Sequence, residues 1–109
     1  MPPRDTLRVI DAAEEFVVQV NRSRPGRNWV YSGQLRKSVG SVYANLVDGY
    51  GRGPGADRNR LYVVARAECE ETLGWIRQAR NANKVAGKEF FKLFNRGVVI
   101  VRMINGLIL

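Results

Sequence analysis

An all-α, antiparallel up-down-up-down four-helix bundle is the fold that this 109-residue sequence predicts. Three observations predict it. Polar, glycine-bearing stretches at Asn21–Asn28, Gly49–Gly55 and Asn81–Gly87 read as turns and leave four segments between them. Each segment repeats apolar residues at steps of three and four, which sets them on one stripe of a helix. Helices of about 30 Å joined by turns this short fold back alongside one another. A single domain over residues 1–109 follows, with helices at about 5–21, 29–50, 57–81 and 87–107.

The first helix is carried by Val9, Ala13, Phe16 and Val20, with Asp5 or Thr6 as its cap. Leu35, Val39, Val42 and Leu46 carry the second. Tyr62, Ala65, Cys69, Thr72, Ile76 and Ala79 carry the third, with Asp57 as N-cap. For the fourth the stripe is Phe90, Phe94, Gly97, Val101, Ile104 and Ile108. The β-branched runs Val17-Val18 and Val98-Val99-Ile100-Val101 also suit a buried strand, but segment length and periodicity favour helix. Val98, Ile100, Met103 and Leu107 lie off the fourth stripe, so this helix is apolar on a second face. A second apolar face predicts a subunit interface, and with it a homo-oligomer.

Charge is abundant and uneven. Eighteen Lys and Arg against ten Asp and Glu give +8, and fourteen of the eighteen are Arg. The positive excess sits in the first loop with the second helix, and again from Arg77 onward. Lys84, Lys88, Lys92 and Arg96 recur every four residues, a ridge of like charge that is mildly unfavourable in an isolated helix. A polyanion offsets such repulsion, so the ridge points to nucleic acid, met through its backbone and shape rather than its base edges. Arg36, Lys37 and Arg52 join the ridge as contact candidates.

Absences narrow the chemistry. With no histidine and one cysteine, neither a His-dependent catalytic arrangement nor a Cys/His zinc site can be built by one chain. Asp48, Glu68 and Glu71 lack the Glu-x-x-His partners of a di-metal bundle, so no metal and no cofactor is expected. Asn45, Asp48 and Glu71 are instead expected to form a structural polar layer with an arginine. Gly49-Tyr50-Gly51-Arg52-Gly53-Pro54-Gly55 fits no phosphate-loop fingerprint and reads as a helix-to-helix turn. Cys69 reads as a buried structural thiol, and Trp29 and Trp75 as packing or interface residues, with nucleic-acid stacking as the alternative for Trp29 beside Arg24 and Arg27. No apolar run is long enough to span a bilayer, which makes the expected setting cytoplasmic with no membrane partner.

The second helix also carries a resemblance. Gln34-Leu35-Arg36-Lys37-Ser38, Ser41-Val42 and Ala44-Asn45-Leu46-Val47-Asp48-Gly49 resemble the pattern Q-L-R-R-A-x-x-S-I-P-x-N-I-A-E-G. That pattern marks the bacterial four-helix bundle family of proteins encoded in 23S rRNA intervening sequences. Asp5-Thr6-Leu7-Arg8-Val9 and Ala65-Arg66-Ala67-Glu68 to Glu71 are similar to two further family segments. Tyr43 stands where the family has proline, Asp48 where it has glutamate, and Ile10 where it has tryptophan. The resemblance implies a four-helix bundle, a ring-like homopentamer, association with rRNA and no enzymatic activity. A related branch, the accessory variability determinants of diversity-generating retroelements, binds a reverse transcriptase and nucleic acid. Two functions follow as expectations: a bundle that binds structured RNA or, as the alternative, a protein-interaction scaffold for a nucleic-acid-processing enzyme such as a reverse transcriptase.

Overall fold

The computed structural model describes residues 3–23 and 28–108. Four α-helices account for most of them: α1 Pro3–Ser23, α2 Ser32–Gly51, α3 Ala56–Asn81 and α4 Gly87–Asn105. The valine runs are helical, and there is no strand among the described residues.

Contacts between helices set the topology. Ser38 of α2 meets Thr72 of α3, while Gly49 of α2 meets Tyr62 of α3. Numbers fall on one helix as they rise on the other, so α2 and α3 are antiparallel. Cys69 with Gly97 and Arg66 with Asn105 give the same relation between α3 and α4. Thr6 and Leu107 line one cavity while Arg22 and Lys84 line another, which makes α1 antiparallel to α4. Each of α1 and α3 packs on both α2 and α4, so α1 faces α3, and α2 faces α4, only across the diagonal.

One layer of apolar side chains fills the middle. Phe16, Leu35, Leu46, Ile76, Leu93, Ile100 and Ile104 are fully buried. Each such side chain contributes about 1.5–3 kcal/mol over leaving it in water. At Gly97 the helices come too close for a side chain: a Cβ there would sit 2.5 Å from Leu73 Cδ2 and 3.1 Å from Phe16 Cζ.

Several sequence expectations need correction. The buried stripe of α4 is Leu93, Gly97, Ile100 and Ile104, rotated from the expected one, and Leu107 is buried just past the helix end. Ile100 and Leu107 therefore belong to the core of the single bundle and are closed to a second subunit. Phe90, Phe94, Val101 and Ile108 flank that core half-buried, as do Val98 and Met103. The polar layer of Asn45, Asp48 and Glu71 does not form. Asn45 donates to Ser41 O on its own helix at 2.8 Å, and Asp48 and Glu71 are exposed. The buried polar pair is Ser38 and Thr72, whose hydroxyls are 2.9 Å apart, within reach of the Leu35 and Glu68 carbonyls.

Helix ends also differ. α3 starts at Ala56 with Gly55 as N-cap, which places Asp57 inside the first turn. Thr6 is buried within α1 rather than capping it, and the Asp5 side chain lies outside the described residues. α2 starts only at Ser32, because the chain turns between Trp29 and Ser32 to seat Trp29 against Trp75, ring centroids 6.3 Å apart.

Candidate nucleic-acid interface

Antiparallel packing sorts the charges into two ends. The α2–α3 turn, the start of α1 and the close of α4 share one end. The close of α1, the start of α2 and the α3–α4 turn share the other.

At the α2–α3 turn Arg52, Arg58 and Arg60 have partners, whereas Arg8 of α1 and Arg102 of α4, at the same end, are in none of the four ion pairs of the described residues. Arg52 reaches Asp48 at 3.2 Å and Asp57 at 3.0 Å, and Arg60 reaches Asp57 at 3.1 Å. The hydrogen bond and charge of Asp48, then the charge of Asp57, raise the pKa of Arg52. Arg58 does a different job. It donates to Tyr50 O and, at 3.0 Å, to Gly49 O, which also accepts the Arg52 N–H, and so helps to satisfy the carbonyls at the end of α2. Its guanidinium also stands over the Tyr50 ring, 5.5 Å from the centroid. The turn between is made by Gly53 at φ +78° and Gly55 at φ +144°, conformations that side chains rarely adopt. A cavity of about 170 Å³ opens beside it, lined by Thr6, Pro54, Gly55, Arg58, Asn59, Tyr62 and Leu107. Burial raises the pKa of Tyr62 above its ordinary value.

The opposite end is different. α2 brings Arg36 and Lys37, both exposed. α3 brings Arg77 and Arg80 in its last two turns, and Arg22 closes α1. The turn after α3 brings Lys84, and α4 opens with Lys88 and Lys92. None of these cations takes part in any of the four ion pairs of the described residues. Glu89 shares a groove with Arg22 and Lys84, and Glu14 and Glu15 line another with Arg22 and Arg96.

The expected ridge is only partly realised. Lys88 and Lys92 share the exposed side of α4, but Lys84 lies in the turn. Arg96 is bound to Glu15 of α1 at 2.8 Å and ties two helices together. Arg36 and Lys37, on α2, stand diagonally across the bundle from α4. The cations therefore form a collar around one end, and Arg52 is not part of it. Arg22, Arg77 and Arg80 were not among the sequence candidates. The signal for them is positional: each ends a helix at the same pole.

Cys69 is buried at mid-height near Gly97 O, and burial, with the charge of Glu70, pushes its pKa up to about 12, so it stays a thiol. No group of carboxylates, cysteines or histidines among the described residues is placed to hold a metal ion. No described helix is long and apolar enough to cross a membrane.

Comparison with known proteins agrees with this architecture. Residues 5–106 match the model of the 23S rRNA-intervening sequence protein family. A crystal structure from Bacteroides thetaiotaomicron VPI-5482, described as a protein of unknown function from the S23 ribosomal protein family, superposes with a TM-score of 0.88. The two are 21% identical, over 94% of this chain and 96% of that one. No curated protein matches the chain.

Proposed function

The chain belongs to the 23S rRNA-intervening sequence protein family, and from that premise we propose that it is a non-enzymatic, cytoplasmic bundle that binds structured RNA through its basic end. The observation that carries this reading is the collar of Arg22, Arg36, Lys37, Arg77, Arg80, Lys84, Lys88 and Lys92, which the fold gathers and leaves without ion-pair partners. Folding gains nothing from bringing like charges together; a polyphosphate backbone does. A collar that runs round the end suits a folded RNA, whose phosphates approach from several directions.

The same protein is proposed to assemble as a homo-oligomer, a pentamer as the family resemblance implies. Support comes from the surface of α4, where Val99 is 49% exposed next to half-buried Met103, one helical turn on. Contacts to a second subunit there replace those that Ile100 and Leu107 cannot make.

The test is binding of purified, nuclease-treated protein to a structured RNA and to duplex DNA across a salt series. The expected result is tighter binding to RNA, with log affinity falling linearly in log salt and a slope that counts the phosphates engaged. Absence of binding at low salt overturns the reading and transfers it to the scaffold function, in which the collar meets an acidic protein surface.

A further inference from the structure

Phe91 is the most exposed aromatic side chain among the described residues, 64% against 40% for Tyr31. Its ring is nevertheless held in place. Phe90 meets it edge-on with centroids 5.3 Å apart, and Phe94 lies against Phe90 at 5.3 Å. Phe90 and Phe94 in turn pack on the core. The result is a supported aromatic ring open to solvent.

Cations surround it. Lys88 lies three residues earlier on α4 and Lys92 one residue later, both exposed. Across the seam to α3, the register fixed by Arg66 with Asn105 and by Arg80 with Val85 sets Arg77 level with Phe91. Glu89, two residues before Phe91, points to the opposite side of the helix, as a step of about 200° requires. An apolar protein surface docked on Phe91 would bury these cations without a counter-charge. An unpaired nucleobase brings a flat π face for the ring and phosphates for the cations, and any base can supply that face.

We propose that Phe91 is a stacking platform for an unpaired nucleobase, with Lys88, Lys92 and Arg77 holding the adjoining phosphates. The proposal rests on the RNA-binding reading and adds that the strand met at α4 is single-stranded. In a duplex, neighbouring bases already cover one another's faces.

The experiment compares a blunt RNA hairpin with the same hairpin carrying a short unpaired tail, at one fixed moderate salt. Wild-type protein is expected to prefer the tailed RNA. Phe91→Ala is expected to lose about ten-fold or more in affinity for the tailed RNA and to bind the blunt one unchanged. Phe91→Trp keeps the preference, which separates the loss of a stacking face from any change in folding. Lys88→Gln weakens both RNAs. Unchanged affinity of Phe91→Ala for the tailed RNA overturns the platform and leaves the RNA reading standing, as does equal affinity of the wild type for the two RNAs. Failure of the wild type to bind either RNA overturns both. A change in sedimentation coefficient on Phe91→Ala, with RNA affinity unaltered, assigns the ring to a protein contact and overturns the platform.

Discussion

The two ends of this bundle use the same residue type for opposite purposes. At the α2–α3 turn, Arg52 and Arg60 reach carboxylates, and Arg58 reaches the carbonyls that close α2. At the other end Arg36, Lys37, Arg77, Lys88 and Lys92 meet no carboxylate. The difference lies in the neighbours and not in the cations. Asp48 and Asp57 stand within a few residues of Arg52, so the charge is consumed locally. Lys37 and Lys92 take part in no ion pair of the described residues, although Glu89 stands one helical turn before Lys92. Partnered cations belong to the fold, and unpartnered ones are available to a ligand.

The sharpest way to break this comparison is charge reversal at the open end. Lys88→Glu with Lys92→Glu is expected to lower affinity for a structured RNA about 100-fold and to leave the thermal midpoint almost unchanged. Filter binding beside a melting curve measures both; retained affinity would sink the assignment of the collar.

Arg58→Ala is the complementary change. Its loss removes the side-chain donor to Tyr50 O and the second donor to Gly49 O, which keeps the Arg52 N–H, and is expected to cost about 1 kcal/mol in urea unfolding, with RNA affinity unaltered. Arg52→Gln at the same end provides the contrast. Half of that side chain is in solvent, and the variant is expected to melt with wild type.

The smallest effect concerns Cys69, which belongs to neither end. Its folded pKa of about 12 lies above the ordinary value of 9.0, so the folded state holds a proton that the unfolded state gives up. Stability contributed in this way is complete below pH 9 and falls as pH rises toward 12, by about 1 kcal/mol at pH 10. Cys69→Ala should remove that part of the decline, and equal slopes for the two proteins between pH 8 and 10 would contradict it.

Much of the fold was legible in the sequence. The stripes of α1, α2 and α3 are buried as their spacing predicts, because each of those helices has one apolar side. α4 has two, and periodicity alone does not say which one faces inward; the close approach at Gly97 is shared by both readings. The polar layer was misplaced for a chemical reason. Short hydroxyls such as Ser38 and Thr72 satisfy themselves on carbonyls of their own helix, so they are buried without any charge pattern to announce them. Five of the eight collar cations were legible in the sequence as a list: Arg36, Lys37, Lys84, Lys88 and Lys92. What the list lacked was the pairing of Arg96 with Glu15 across 81 residues, and the distance that separates Arg52 from the rest. Both depend on which helices are neighbours, which local spacing does not encode.

The joining of α2 and α3 has a consequence in time. Residues 52–55 are all that separates the two helices, and Ser38–Thr72 and Gly49–Tyr62 pin them along their length. Little chain entropy is lost in closing so short a loop, so this hairpin is the natural first structure as the chain folds. The seam between α1 and α4 unites the most distant parts of the chain, and by the same argument is expected to close last. The turn of residues 82–86 is nearly as short and sets Lys88 and Lys92 beside Arg77 and Arg80 early, so in that order Arg22 of α1, behind the longest connection, is the cation that joins the basic end last.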